Sequence, residues 1–335
     1  MVRGRILAFA AVAVALVAAG CSNGDNTSGS GQAAAPLSGT LVVSGSSTVQ
    51  PITSLVAETF QQDNPGVAVS VDGPGTGDGF VLFCKGQTDI SDASRPIEPE
   101  EQKACQQNGI NFVELEIGLD GITVMANPDN TQVSCLTKGD LYALLGPESK
   151  GFTNWSDADQ LATQVGGKDH FPDLPLAITA PGEESGTYDA FIELALGDLI
   201  EQRGQEEALQ PDYQSSPNDN VIIQAMESDS GALGFVGFAY AENAGGGVKE
   251  ISVDGGDGCV APSRATISDA SYPLSRSLYI YVNTAKASKS KAVRGFVDFY
   301  LTDTGIVESV TAAGYVDLPA SRIEDTRSTW QQALS

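Results

Sequence analysis

The sequence predicts an α/β protein of two lobes, and three observations carry that expectation. Short β-branched runs alternate with stretches of helical apolar spacing, the chain is long enough for about two domains at roughly 150 residues each, and no segment repeats at a fixed period. The strand-like runs are Leu41-Val42-Val43, Val67 to Val71, Ile122 to Met125, Ala177-Ile178-Thr179 and Leu278 to Val282. Between the first two, Val49, Ile52, Leu55, Val56 and Phe60 share one helical face, and Asn64-Pro65-Gly66 ends that helix. Tyr188, Phe191, Leu194, Ala195 and Leu199 repeat the spacing, as do Val293, Phe296, Val297 and Leu301.

Composition narrows the function. The 335 residues are 41 % apolar, enough to bury a core, and they carry 18 Lys plus Arg against 43 Asp plus Glu, a formal charge of −25. Such a surface repels phosphate backbones, so no nucleic-acid partner is expected. A single histidine, His170, leaves little material for a histidine-based zinc site, a Ser-His-Asp triad or a proton relay, and no cofactor is expected.

The first segment reads as an address. Arg3 and Arg5 precede an apolar run from Ile6 to Ala19, too short for a permanent span, and Val17-Ala18-Ala19-Gly20-Cys21 follows the pattern of a lipobox. Residues 1–20 are then a signal peptide and Cys21 the lipidated first residue of the mature chain. Residues 21–37, rich in Ser, Gly, Asn and Ala, are a flexible tether. Export leaves Cys84, Cys105, Cys135 and Cys259 as an even set for disulfides. Four cysteines allow three pairings; the short local loop favours Cys84 with Cys105, and therefore Cys135 with Cys259.

Three glycine and hydroxyl clusters stand at the start of helix-like segments: Ser44-Gly45-Ser46-Ser47-Thr48, Gly73 to Gly79, and Ser185-Gly186-Thr187. A helix N-terminus presents unpaired N–H groups and positive partial charge, glycine permits close backbone approach, and Ser or Thr adds a donor. Each cluster taken alone serves as a cap or turn; three in one chain point to convergence on a single anion. None matches a nucleotide loop, since no Gly-Lys-Ser/Thr follows, and Ser185 does not sit at the centre of a nucleophile elbow.

Between the second cluster and Cys105, Asp89 to Ile97 offers Ser91, Asp92, Ser94 and Arg95 in a short span. Arg95 has a fork of donors for an oxyanion, or pairs with Glu98 or Glu100. A carboxylate beside a bound anion is tolerated only if the anion brings a proton, because an ionised carboxylate only accepts hydrogen bonds. Hydrogen phosphate has that proton and sulfate does not, so Asp92 or Asp120 in the site would separate the two; either residue could instead cap a turn.

Taken together, Gly45 to Ile52, Gly75 to Phe80, Asp89 to Ile97, Pro181 to Phe191 and Tyr272-Pro273-Leu274-Ser275-Arg276 resemble the PstS-type phosphate-binding proteins of bacterial ABC importers, over about Ser38 to Pro319. The resemblance implies a type II periplasmic-binding-protein fold, two lobes each built on a helix-flanked sheet and joined by hinge strands. Lobe 1 would comprise residues 38–126 and 281–335, and lobe 2 residues 127–280, with Ile122 to Met125 beside Leu278 to Val282 at the hinge. It further implies that Thr48, the Val49 amide, Thr76 and Gly77 donate to phosphate from one lobe and Ser185, Gly186 and Thr187 from the other, with Asp92 as acceptor. Ser46, Ser47, Ser94 and Asp120 complete the candidate set. Pro181 stands where some members of the family carry arginine four residues before Ser-Gly-Thr, and Arg95 is the expected substitute. Asn218-Asp219-Asn220 reads as a helix cap.

The implied activity is capture of inorganic phosphate by a monomeric, lipid-anchored, non-enzymatic receptor that delivers it to a membrane permease. Closure of the lobes would bury the anion among fixed dipoles. The rivals are a receptor for sulfate or molybdate, a secreted serine phosphatase or esterase using Ser47 or Ser185, and an exported surface protein.

Overall fold

The computed structural model describes residues 36–168 and 170–335. The expected signal peptide, Cys21 and nearly all of the tether lie outside the described residues. Strands β1 (Gly39–Gly45), β2 (Val67–Asp72), β3 (Ile90–Ala93), β4 (Phe112–Ala126), β5 (Cys135–Thr137), β6 (Ala177–Ala180), β7 (Gln214–Ser215), β8 (Ala232–Gly237), β9 (Lys249–Asp254), β10 (Cys259–Val260) and β11 (Ser275–Asn283) form one curled sheet. Its main path runs β2-β1-β3-β11-β4-β8-β6-β7, with β9 joining β4 to β5 and β10.

The first half of that path is parallel where helices intervene between strands: β1 pairs in parallel with β2 and β3. Helix α1 (Gln50–Asp63) forms because Ile52, Val56, Ala57 and Phe60 recur on the buried face, and Pro51 fits its first turn. Its end packs on the helix Lys291–Tyr300 through an edge-to-face pair, Phe60 with Phe296, centroids 5.4 Å apart. Each fully buried aromatic of this kind contributes about 1.5–3 kcal/mol of transfer free energy. Helix α2 (Thr76–Cys84) covers the other face, where Phe80 and Phe83 pack with Ala93 and Tyr281. The disulfide Cys84–Cys105 ties α2 to the helix Pro99–Gln107, and Cys135–Cys259 ties β5 to β10, as the loop-length argument favours.

Strand β4 is the spine of the molecule. Nine of its first ten residues pair antiparallel with β11, Ile117 being skipped, while Ile122 to Ala126 pair with β8 in the other half of the sheet. This corrects the expected hinge: Leu278 to Val282 lie beside Val113 to Gly118, and β11 enters the first sheet at Ser275, before the expected return at residue 281. A bulge between Leu278 and Tyr279 shifts the register, which run-by-run reading of the sequence does not reveal.

Candidate functional site

The first cluster sits at the carboxyl end of β1 and turns into α1. Gly45, with φ +157°, packs against the backbone of Asp92, where a Cβ would meet the Asp92 carbonyl oxygen at 2.0 Å. The Ser46 amide donates to that carbonyl at 2.9 Å. Ser46 Oγ in turn accepts from the Thr48 and Val49 amides at 3.2 and 3.4 Å, so the Val49 amide is engaged within the turn and Val49 itself is fully buried. The Val49 amide expected to donate to an anion is the one from which Ser46 Oγ accepts here, at a long 3.4 Å.

The second cluster lies alongside. The Gly75 amide donates to the Gly45 carbonyl at 2.9 Å, and Gly79 passes so close that a Cβ there would meet Gly45 Cα at 2.4 Å. Thr76 Oγ1 is 3.0 Å from Ser94 Oγ and accepts from the Ser94 amide at 3.2 Å, which fixes the mouth of α2 to the end of β3. From the other half of the sheet, the helix Gly186–Phe191 starts at Ser185, whose Oγ caps the Thr187 amide at 3.2 Å. Thr48 Oγ1 donates to the Gly186 carbonyl at 3.2 Å, Ser47 Oγ donates to Asp189 Oδ2 at 2.6 Å, and a Cβ on Gly186 would meet Thr48 Cα at 2.8 Å. Clusters one and three therefore touch.

Between them lies a polar cavity of about 1130 Å³. Ser46, Ser47, Thr48, Thr76, Gly77, Ser94 and Arg95 line it from one side, and Tyr188, Asp189, Glu193, Asp198 and Glu201 from the other. Ser185, Gly186 and Thr187 are not on its wall; Gly186 stands against Thr48. His170 is exposed at 83 % of its side chain and lies 3.7 Å from Asp159, outside this cavity.

Two expectations about charge change. Arg95 lines the cavity, but its fork is taken by Glu101 in a two-pronged pair at 2.9 Å each, with Glu98 at 3.4 Å, and its guanidinium stacks over Phe80. Glu101 also closes a capping box with Glu98 at the helix Pro99–Gln107, so it is doubly fixed in place. The cation that the sequence reading missed is Arg276, whose side chain is only 7 % exposed. Its Nε pairs with Asp120 at 3.3 Å, Nη2 donates to Thr48 Oγ1 at 2.9 Å, and Nη1 reaches Glu193 across the cavity at 2.5 Å. The antiparallel register places Arg276 opposite Asp120, which is how two residues 156 apart meet. Asp120 is therefore the anchor of Arg276, not a free acceptor. Burial pushes its carboxyl above the ordinary value, and the guanidinium pulls the other way.

Asp92 is placed differently from the expectation. Ser91 faces α2, its Oγ 3.0 Å from where a Cβ on Gly79 would sit, so its neighbour Asp92 projects to the opposite face, toward Thr53 and Tyr300. It is fully buried, lies off the cavity wall, and both of its carboxylate oxygens lack a hydrogen-bond partner. Burial raises its pKa from 3.8 to about 7. The sign follows from linkage. The folded chain holds this proton longer than the unfolded one, so the stability it contributes is complete below about pH 4 and is lost as pH climbs through 7. Asp92→Asn, which cannot ionise, should melt close to the parent at pH 4 and above it at pH 8; thermal melts at both values check this, and a variant that melts lower at pH 8 contradicts it.

Asn218 caps the helix Asp219–Ser228 through a 3.0 Å bond from the Asn220 amide, as its sequence position indicates. Among the described residues, no helix is long and apolar enough to cross a membrane.

Comparison with known proteins agrees with this architecture. Residues 30–304 match the model of the PBP superfamily domain. The chain is 41 % identical over 281 residues to Protein SphX of Synechocystis, covering 83 % of this chain and 78 % of that protein. It is 33 % identical over 332 residues to the phosphate-binding protein PstS of Staphylococcus saprophyticus, covering 98 % and 94 %. The crystal structure of a possible phosphate-binding protein from Planctomyces limnophilus superposes with a TM-score of 0.80 at 35 % identity, over 89 % of this chain and all of that one.

Proposed function

This chain belongs to the PstS-type phosphate-binding proteins of the PBP superfamily, and from that membership we propose that it captures inorganic phosphate in the cavity between its two half-sheets and hands it to an ABC permease. The observation that carries the reading is the meeting of Arg276 with Thr48, Thr76 and Ser94 around one cavity, residues drawn from four separate segments. A nearly buried guanidinium held by a buried carboxylate is pre-organised, so it loses little freedom on meeting an oxyanion. Hydroxyls of Thr48, Thr76, Ser47 and Ser94 can each donate to an oxygen or accept from a protonated one, which suits hydrogen phosphate. Gly186 behind Thr48 lets the two halves approach to contact, a closure that a permease can distinguish from the open form.

In this reading residues 38–126 with the return strand β11 and the C-terminal helices form lobe 1, the chain between Asn127 and Leu274 forms lobe 2, and β4 passes between them. Cleavage before Cys21 and lipidation there would hold a monomeric receptor at the outer face of the membrane. Calorimetric titration of the purified chain with phosphate, sulfate and molybdate tests the ligand: saturable heat with phosphate at a one-to-one ratio is expected. Binding of sulfate or molybdate in preference to phosphate overturns the assignment, and no heat with any of the three overturns the receptor reading. Mass spectrometry of membrane-extracted protein for a lipid-modified Cys21 peptide tests the anchor.

A further inference from the structure

We propose that Glu193 is an internal stand-in for the anion: its carboxylate occupies Arg276 across the cleft, and phosphate binds by displacing it. The inference rests on the phosphate reading above and adds an occupant to the same site. Arg276 has three partners with unequal freedom to leave. Asp120 is buried and fixed opposite Arg276 by strand register. Thr48 is buried at the start of α1. Glu193 is half exposed on the cavity wall, on the far side of the cleft from Arg276, and its 2.5 Å contact is the one that crosses from the second half-sheet's helices to β11.

Local backbone favours this geometry. Glu193 sits in the π-helical turn Ile192–Leu196 that continues the helix Gly186–Phe191, and such wide turns re-aim side chains that a regular helix would place elsewhere. The carboxylate also contributes to holding the Arg95 proton more tightly, behind the larger effect of Glu101, so its charge is felt by both arginines of the cavity. An oxyanion seated on Arg276 with Glu193 still in place would put a third anionic group on a guanidinium that already holds Asp120 and Glu193; Asp120 is buried and fixed, so the repulsion drives Glu193 out into solvent, where its half-exposed position already leads.

The consequence is a self-occupied closed state that competes with ligand. Apparent affinity falls in proportion to the fraction of molecules whose guanidinium is free, and this holds for every anion that needs Arg276. Glu193→Gln removes the charge and keeps the size. It should tighten phosphate binding roughly fivefold by calorimetry, the scale of a half-exposed ion pair. It should also expand the ligand-free protein in small-angle scattering, with parent and variant converging once phosphate is added. Glu193→Asp keeps the charge on a shorter stem and should lie between the two.

Unchanged or weaker phosphate binding by Glu193→Gln overturns the proposal while leaving the phosphate reading intact. If the parent itself gives no heat with phosphate, the phosphate reading fails, and scattering decides the latch separately: equal radii of gyration for the ligand-free parent and variant overturn it, and a larger radius for the variant upholds it.

Discussion

Replacing Arg276 with alanine lowers phosphate affinity by a factor of roughly 10 to 150, because a hydrogen bond to a charged group is worth about 1.5–3 kcal/mol and 1.4 kcal/mol is tenfold in affinity. The variant also loses stability, for a separate reason. Asp120 is buried opposite Arg276, and removing one partner of a buried pair costs about 3–5 kcal/mol because the other charge is stranded. Burial already holds the Asp120 carboxyl above its ordinary value, and without the guanidinium nothing opposes that push. The stranded aspartate therefore takes up a proton more readily than an ordinary carboxylate, and the stability deficit shrinks as pH falls and grows as it rises.

The two effects separate in a double variant. Arg276→Ala with Asp120→Asn removes the stranded charge, so it should recover most of the melting temperature and none of the phosphate affinity. Arg276→Lys keeps the charge but not the planar fork that reaches Asp120, Thr48 and Glu193 at once, and it should bind with intermediate affinity. Calorimetry and thermal melts of the three variants read both quantities. Parent-like phosphate affinity in Arg276→Ala places the anion elsewhere.

The contrast between Arg276 and Asp92 shows which parts of this site a linear sequence can carry. Local patterns were readable: the apolar face of α1, the glycine clusters that let β1, α2 and β3 crowd together, and the Cys84–Cys105 disulfide follow from spacing within short segments, and Cys135–Cys259 then follows by elimination. Strand parity was not. Ser91 and Asp92 both lie in a strand buried on both faces, so no alternation of polar and apolar residues marks which of them faces α2 and which faces α1. A one-residue difference decides whether a carboxylate meets α2 or Tyr300. Arg276 was visible in a quoted motif, yet its partner is 156 residues away and is set by the register of β11 on β4, bulge included. Arg95 carried a signal that was available: Glu98 and Glu101 have capping-box spacing directly after it, which fixes a carboxylate within reach of its fork.

The cysteine pairs differ in a way that only their loops explain. Cys84–Cys105 closes a separation of 21 residues and Cys135–Cys259 one of 124. In the loop-entropy account the first stabilises by about 3 kcal/mol and the second by about 5 kcal/mol, since the cost of an open chain grows with the logarithm of its length. Against a typical total of roughly 5–15 kcal/mol, loss of the longer loop leaves a marginal protein. It also acts on a particular part of the molecule. The 124-residue span from β5 to β10 contains β6, β7, β8 and the helix Gly186–Phe191, hence the whole wall that faces Arg276. Cys135→Ala with Cys259→Ala should therefore lower the urea midpoint more than Cys84→Ala with Cys105→Ala. Its amide exchange should rise first in residues 136–258, with β1, β2 and α1 protected until global unfolding. The reverse order of midpoints, or uniform loss of protection, would mean that local packing around Phe80 and Phe83 outweighs chain entropy, and that the two halves of the sheet unfold as one unit across β4.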